Sequence, residues 1–202
     1  MKKRDAKRQA ILDTAYRLFR TQGFDATSIS EITALVGGSK ATIYSHFTSK
    51  EELFVECMTA ALEDYITGAV AQLDASGTDP GAALREFGAN ILNFGSSPDM
   101  VAVRRLIIAE AGRSGIGKLF FTKIVALRTH VAELLSKFMD SGALRPDDAD
   151  FAASQLRALL EAEILEPLLL NVRENSPGQQ EIELAADRAV SAFLRAYAPT
   201  VR

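Results

Sequence analysis

The sequence predicts an all-helical protein, and three observations support that fold class. Apolar residues recur three and four positions apart along almost the whole chain, which is the spacing of one helix face. Strict alternation of apolar and polar residues, the pattern of a half-buried strand, is absent. Clusters of Gly, Pro, Ser and Asn divide the chain into segments of helical length. With 202 residues, 48% of them hydrophobic, the chain is long enough for one or two compact domains.

The first helix is expected over about residues 5–22. It places Ile11, Ala15 and Phe19 on one apolar face, and Gly23 follows its last turn as a stop signal. Its opposite face is charged, so the sequence predicts an amphipathic helix that packs by one side only.

Two short helices and the beginning of a long one follow. Ser28 with Glu31 forms a capping-box pattern, Ser39 is an N-cap candidate after a Gly-Gly pair, and Ser49 with Glu52 repeats the box. These signals predict helices over about residues 29–36, 40–46 and 50–75.

Five further helices are delimited by turn-forming clusters of Gly, Ser, Pro and Asn. Pro167 falls inside one of them, where it removes a backbone donor, so we expect a kink at that point. The five helices are expected over about residues 81–94, 99–111, 117–141, 147–172 and 178–197.

The charge of the chain is distributed unevenly. The formal net charge of −3 alone argues against binding nucleic acid. Residues 1–50, however, carry nine Lys or Arg and four Asp or Glu, a net charge of +5, whereas the remainder carries a net charge of −8. This asymmetry predicts a basic N-terminal domain over 1–50 that meets a polyanion, and a second domain over 51–202 with another task.

Several function classes are disfavoured by composition. The single cysteine, Cys57, excludes an internal disulfide framework and a cysteine-based zinc cluster. It is expected to be a small buried residue, with a redox sensor as the alternative. Two histidines and no nucleophile motif predict that the protein is not an enzyme and holds no metal or cofactor. Without an apolar run of about 20 residues, we expect a cytoplasmic protein with no membrane partner.

Residues 27–47 have the pattern of a helix-turn-helix, in which two short capped helices are joined by a glycine turn. Apolar side chains such as Ile32, Ile43 and Phe47 are expected to form its buried seam. The outward side chains of the second helix are polar or small, as a helix that enters the major groove requires. They are Lys40, Ala41, Thr42, Tyr44, Ser45 and His46.

The run from Phe24 to Phe54, which contains Gly-Gly-Ser-Lys-Ala-Thr-Ile-Tyr-Ser-His-Phe and Ser-Lys-Glu-Glu-Leu-Phe, resembles the N-terminal domain of the tetracycline-repressor (TetR) family. The resemblance implies a DNA-binding transcription regulator. It implies base-edge contacts for Lys40, Ala41 and Thr42, and phosphate contacts for Tyr44, His46 and Lys50. The complete set of expected DNA-binding residues is Thr27, Ser28, Ser39, Lys40, Ala41, Thr42, Tyr44, Ser45, His46 and Lys50.

Each of these roles has an alternative. Ser28 and Ser39 are equally well explained as helix caps alone. A basic N-terminal run such as Lys2 to Arg8 either follows the DNA backbone or is a solvated tail. Members of the family usually have Ala before the turn glycine and Val after it. Here Val36 precedes Gly37 and Gly38 follows it, which we expect to loosen the turn.

The C-terminal two thirds carries weaker signals. Arg104 to Glu110 and Gly142 to Arg145 resemble the C-terminal domain of regulators of multidrug-efflux operons. The resemblance to the TetR family implies that these residues form a helical ligand-binding and dimerisation domain. Aromatic and polar residues of the middle helices would line the ligand pocket, although such residues at helical spacing are also typical of a core. The candidate pocket residues are Tyr65, Phe87, Asn90, Phe94, Arg104, Phe120, Phe121, Ile124 and His130.

The last two long helices are rich in alanine interleaved with larger apolar residues, a composition that allows helices to approach closely. Two copies would form an intermolecular four-helix bundle; the alternative is that these faces pack within one chain. The candidate dimer-interface residues are Phe151, Leu156, Leu159, Leu160, Ile164, Ile182, Ala186, Ala189 and Phe193.

The family resemblance, together with these signals, implies a homodimeric repressor that a small hydrophobic ligand releases from a pseudo-palindromic double-stranded operator. The alternative is a helical scaffold, or a regulator controlled by a protein partner without a small-molecule effector. Salt-sensitive affinity for DNA distinguishes the first hypothesis from a scaffold.

Overall fold

A computed structural model describes residues 2–60, 68, 79–112, 115–173 and 175–199 of the chain. Every regular element within those ranges is an α-helix, which confirms the all-helical fold class. The predicted helix over 50–75 is described as helical from residue 50 to 60, and its remainder lies outside the described residues except for residue 68.

Outside the predicted helix over 147–172, the described helices begin and end close to the predicted positions. We number them in chain order and call the helix from residue 50 onward α4. The others are α1 (Lys2–Gln22), α2 (Ile29–Val36), α3 (Lys40–Tyr44), α5 (Pro80–Gly95), α6 (Pro98–Glu110), α7 (Ile116–Asp140), α8 (Ala149–Ala162), α9 (Leu165–Leu169) and α10 (Gln179–Tyr197).

The chain divides into two compact units. The head unit comprises Met1–Ala61 and Val103–Lys123, and the body unit comprises Leu62–Ala102 and Ile124–Arg202. Residues 103–123 therefore cluster with the N-terminal helices, although they follow them by more than forty positions. The division into a DNA-binding domain over 1–50 and a ligand-binding and dimerisation domain over 51–202 stays a prediction.

The core of the head unit is built from the faces that the sequence assigns to it. Ile11, Ala15 and Phe19 of α1 are fully buried, as is Ile32 of α2. Phe19 contacts two further rings: its centroid lies 5.8 Å from that of Phe24 and 5.1 Å from that of Phe54 on α4. Such aromatic groups bury large apolar areas, so this cluster joins α1, α4 and the loop that leads into α2.

In the body unit, α10 packs against both α5 and α8. Alanine makes the close approach possible, since Ala152 and Ala153 of α8 and Ala185 and Ala186 of α10 are at most 3% exposed. Gly88 of α5 serves the same purpose, because a Cβ atom at this position would lie 2.7 Å from a methyl group of Leu160.

The prediction of a single kinked helix over 147–172 is wrong. Helix α8 ends at Ala162, and the separate helix α9 begins at Leu165. Pro167 has no N–H group to donate to the carbonyl of Glu163, and in a continuous helix its ring would clash with that carbonyl. Within the first turn of α9 the missing donor costs nothing, so the chain breaks before the proline instead of bending at it.

Among the described helices, none combines the length and the apolar character that a transmembrane span requires.

Candidate nucleic-acid interface

The turn between α2 and α3 is formed by two glycines with positive φ angles. Gly37 has φ +76° and Gly38 has φ +109°, a region that side chains with a Cβ atom rarely adopt. Ser28 caps α2 by accepting a hydrogen bond from the Glu31 N–H at 3.1 Å. The order of a capped helix, a tight turn and a second capped helix is that of a helix-turn-helix.

The beginning of α3 is fixed by a reciprocal capping box. The Thr42 N–H donates to Ser39 Oγ at 3.3 Å, and the Ser39 N–H donates to Thr42 Oγ1 at 3.2 Å. The Ser45 hydroxyl donates to the Thr42 carbonyl at 2.8 Å. The hydroxyl groups of Ser39, Thr42 and Ser45 are therefore engaged within α3 itself.

Helix α3 has one buried side and one accessible side. Ile43 is 2% exposed, and Phe47, which follows the helix, is 1% exposed. Lys40, Ala41 and Ser45 are exposed, and Tyr44 is 49% exposed. Thr42 and His46 are half-buried. The outward face therefore presents an ammonium group, a phenol and small side chains, which is a surface suited to the edges and phosphates of DNA.

Two of the residues expected to contact DNA are engaged within the protein. Thr27 is fully buried, and its hydroxyl donates to the Gly23 carbonyl at 2.8 Å, so its side chain closes the loop before α2. Lys50 is half-buried, with its Nζ atom 4.3 Å from the centre of the Phe24 ring and 3.5 Å from the Asp25 carbonyl oxygen. Ser28, by contrast, is exposed at the first turn of α2.

Two basic residues of α1 contact other helices of the head unit. Lys7 Nζ donates to the carbonyl oxygens of Val36 and Gly37. Arg8 donates to Glu56 Oε2 of α4 at 2.8 Å, and its guanidinium lies 5.1 Å from the centre of the Phe47 ring. The charge of this run predicts a contact with the DNA backbone or a solvated tail, whereas Lys7 and Arg8 bind groups of the head unit.

A sequence signal for this placement does exist. Lys7 and Arg8 stand four positions before Ile11 and Leu12, both of which are buried, so they lie on the same side of α1. A long cationic side chain one turn beyond a buried face reaches the neighbouring helix along that face.

The same region of the head unit contains an open groove of about 670 Å³. It is lined by Arg4, Ala6, Lys7, Ala10 and His46, which brings the N-terminal half of α1 beside the residue that follows α3. Ala6 and Ala10 continue the apolar pattern of α1 toward its beginning, but both side chains are exposed in this groove. Its basic lining is compatible with a phosphate backbone.

Helix α4 begins at a hydrogen-bonded cap. Ser49 Oγ accepts from the Glu52 N–H at 3.0 Å, which is one half of the predicted box. The Glu52 carboxylate accepts instead from the backbone N–H and the hydroxyl of Thr48. The Thr48 hydroxyl holds the pKa of Glu52 below its ordinary value.

Cys57 of α4 is buried, and burial raises the pKa of its thiol. Because the thiolate is the reactive form, this environment matches a structural residue and not a redox sensor.

The candidate pocket residues are divided between the two units. In the body unit, Phe87 belongs to the core at 6% exposure, whereas His130 is exposed, with its Nδ1 atom 3.9 Å from Glu133 Oε2. In the head unit, Phe121 is 60% exposed. Tyr65 lies outside the described residues. The half-buried members are Asn90, Phe94, Arg104, Phe120 and Ile124. Their grouping into one pocket stays a prediction.

Most of the candidate interface residues lie inside the body unit. Seven of the nine are at most 5% exposed within a single chain, so their side chains have almost no surface to offer to a partner. They are Leu156, Leu160, Ile164, Ile182, Ala186, Ala189 and Phe193. Phe151, at 59%, and Leu159, at 37%, are the exposed members of the set. These seven side chains therefore pack within one chain, which was the alternative to a dimer interface.

Two family models match this chain. The model described as "Bacterial regulatory proteins, tetR family" matches residues 11–57, which contain α2, α3 and the beginning of α4. The model described as "AefR-like transcriptional repressor, C-terminal domain" matches residues 82–199, more than half of the chain.

Solved structures and a curated relative are similar to it. A TetR-family transcriptional regulator from Mesorhizobium loti is 28% identical, with a TM-score of 0.81 over 96% of this chain and 98% of that chain. The flavonoid-responsive regulator FrrA is also 28% identical, with a TM-score of 0.73 over 98% and 100% of the two chains. The transcriptional repressor ComR of Escherichia coli K12 is 33% identical over 47% of this chain. That alignment spans 45% of ComR, less than half of the relative's length.

Proposed function

Because the chain belongs to the TetR family of transcriptional regulators, we propose that it is a homodimeric repressor, released from a pseudo-palindromic operator by a small hydrophobic ligand. The observation that carries the DNA-binding part is the accessible face of α3. There Lys40 and Tyr44 are exposed beside Ala41, while Ile43 anchors the helix in the core. Since operator DNA is the proposed target, we place the protein in the cytoplasm, and we assign it no catalytic activity.

The first experiment tests DNA binding without assuming an operator sequence. Wild-type protein selects duplexes from a randomised library, and fluorescence anisotropy then measures the affinity for the selected site at several salt concentrations. We expect a two-fold symmetric site whose half-sites are about one helical turn, ~34–36 Å, apart. Affinity should fall steeply with salt because phosphate contacts release counterions. No binding even at low ionic strength would exclude the proposed function and favour the helical scaffold.

Lys40→Ala tests the base-reading role of α3. Lys40 is the first residue of α3, and its ammonium group is suited to donate to guanine O6 or N7. We expect affinity for the selected site to fall about 5- to 100-fold, and affinity for a random duplex to fall much less. Lys118→Ala removes the same charge from α7, a helix that takes no part in the helix-turn-helix, and serves as the control. Unchanged specificity of Lys40→Ala would refute the role.

The dimer interface is proposed on the exposed apolar residues of α8 and α10. Arg188 of α10 donates to Glu163 Oε1, just after α8, at 2.9 Å. Leu159 stands four positions before Glu163, and Leu184 four positions before Arg188, so each lies on the bridged side of its segment. Leu184 is 49% exposed and Leu159 is 37% exposed. Two exposed apolar side chains on the side of this ion pair make a surface suited to a second copy of the chain.

Leu159→Glu is the matching test. In a two-fold interface the new carboxylate is either repelled by the same carboxylate of the second copy or buried without its hydration. We therefore expect the dimer dissociation constant to rise about 100-fold or more. Sedimentation velocity over a range of concentrations measures it. Ile108→Glu changes an equally apolar side chain, 56% exposed on α6, and should leave the dimer intact. Dimerisation that survives Leu159→Glu unchanged would remove this surface from consideration.

Ligand control is proposed from the family and from FrrA, whose name describes it as flavonoid-responsive. A flavonoid is therefore a reasonable first probe. A ligand that binds the folded protein raises its melting temperature by mass action, and one that prefers the DNA-free state releases the duplex. Release of the selected duplex by a flavonoid would support control by a small hydrophobic molecule. A protein partner without a small-molecule effector is the alternative, which gains support if hydrophobic ligands of several classes leave the complex intact.

A further inference from the structure

The ammonium group of Lys7 lies against the turn that joins α2 to α3. Its Nζ atom donates hydrogen bonds to the carbonyl oxygens of Val36, at 2.9 Å, and of Gly37, at 2.7 Å. Val36 is the last residue of α2, so its carbonyl is one of those that a helix leaves without an internal donor. A cation at this helix end supplies that donor and also interacts favourably with the helix dipole.

This turn is the part of the helix-turn-helix that most needs an external support. Gly37 and Gly38 both have positive φ angles, and glycine loses more conformational freedom on folding than any other residue. Gly38 directly precedes Ser39, the N-cap of α3, so any freedom at the two glycines changes the orientation of α3 relative to α2. Lys7 bonds two successive carbonyls of this segment and thereby restrains it from α1.

The neighbouring residue, Arg8, contacts the segment that follows α3. The Arg8 guanidinium lies 5.1 Å from the centre of the ring of Phe47, which follows the helix, and it is paired with Glu56 at 2.8 Å. Glu56 in turn is paired with Lys123 at 2.5 Å. Two consecutive cations of α1 therefore contact the segments on either side of α3: Lys7 binds the turn before it, and Arg8 lies against the ring of Phe47 after it.

We propose that Lys7 is a positioning residue for sequence recognition, which holds the diglycine turn so that Lys40 and its neighbours face the correct bases. The proposal rests on the proposed DNA-binding function. It assigns the charge of Lys7 to the turn and not to a DNA phosphate. The two roles differ in their consequences, because a phosphate contact contributes equally to all sequences, whereas a misplaced α3 loses base contacts only.

Lys7→Met separates these roles, since it keeps most of the length of the side chain and removes the ammonium group. We measure affinity for the selected site and for a random duplex of equal length over a salt series. We expect about tenfold weaker binding to the selected site, a random-duplex affinity within about twofold, and an unchanged salt slope. Arg4→Met is the matched control, because Arg4 is an exposed cation of α1 that lines the same groove. It should leave the ratio of the two affinities unchanged.

Equal losses on both duplexes, with the salt slope reduced by about one, would make Lys7 a phosphate contact and overturn the proposal. So would a variant with a lower melting temperature but an unchanged affinity ratio, which is the result of a merely stabilising role. Circular dichroism at the assay temperature establishes that the variant is folded.

A measurement without DNA keeps the two proposals distinguishable. The Gly37 N–H donates to the Thr33 carbonyl at 2.8 Å, so its hydrogen exchange reports opening of the turn. We expect exchange of this amide to become about tenfold faster in Lys7→Met while amides in the middle of α1 are unaffected. If wild-type protein selects no DNA site, the proposed function fails, whereas an unchanged Gly37 amide contradicts the restraint of the turn itself.

Discussion

Phe54→Ala should lower the free energy of unfolding of the head unit by about 3–5 kcal/mol, the range for truncating a buried phenylalanine. Phe54 is fully buried, and its ring centroid lies 5.1 Å from that of Phe19 and 5.2 Å from that of Phe24. Both neighbouring rings meet it edge to face, an arrangement that contributes beyond the buried area. The variant removes a side chain that packs α4 against α1 and against the loop before α2.

Hydrogen exchange of head-unit peptides, detected by mass spectrometry, measures this loss without assuming that the whole chain unfolds in one step. Because a loss of this size is comparable with the stability of a small domain, we also expect weaker binding to the selected DNA site. Phe54→Leu is the control, since an apolar side chain that preserves most of the volume should cost less than about 1.5 kcal/mol. A loss below about 1 kcal/mol for Phe54→Ala would show that the aromatic cluster does not hold the head unit together.

Phe193→Ala is expected to have a comparable effect, about 3–5 kcal/mol, in the body unit. Phe193 is fully buried on α10, and its ring is stacked on that of Tyr197 with centroids 4.5 Å apart. The Tyr197 hydroxyl donates to Gln155 Oε1 of α8 at 2.8 Å, so the stacked pair connects α10 to α8. A cavity at Phe193 therefore removes packing and leaves the ring of Tyr197 without its stacking partner.

Urea denaturation followed by circular dichroism, together with hydrogen exchange of α10 peptides, measures the effect of Phe193→Ala. Glu183→Ala is the control on the same helix, because Glu183 is exposed and its truncation leaves no buried cavity. It should change stability by no more than about 0.5 kcal/mol. Equal effects of the two variants would contradict the assignment of Phe193 to the core.

The boundaries of the helices were largely predictable because their signals are local. Ser28 and Ser39 begin α2 and α3 at the predicted residues, since a side-chain hydroxyl bonds an N–H group only three positions away. The buried side of the helix-turn-helix was equally predictable. Ile43 and Phe47 stand four positions apart among polar neighbours, so they share one face of the chain.

The roles of the charged residues near the N-terminus were not predictable in the same way. A basic run indicates affinity for phosphates, yet Lys7 and Arg8 contact carbonyls, a carboxylate and a ring within the head unit. A net charge counts cations without regard to the partners that the fold brings to them. Arg4 is exposed in the groove that His46 also lines, so it remains a candidate for the contact with a polyanion that the charge asymmetry predicts.

By itself, the sequence determined the helical fold, the capped helix-turn-helix and the family resemblance, because periodicity, caps and motifs are written in neighbouring residues. Only the tertiary structure decided what each apolar face packs against. The alanine-rich faces of α8 and α10 meet within one chain, so Leu156 and Phe193 belong to the core while Leu159 stays at the surface. The physical reason is that a hydrophobic face specifies burial but not a partner. The partner depends on helices that are distant in sequence.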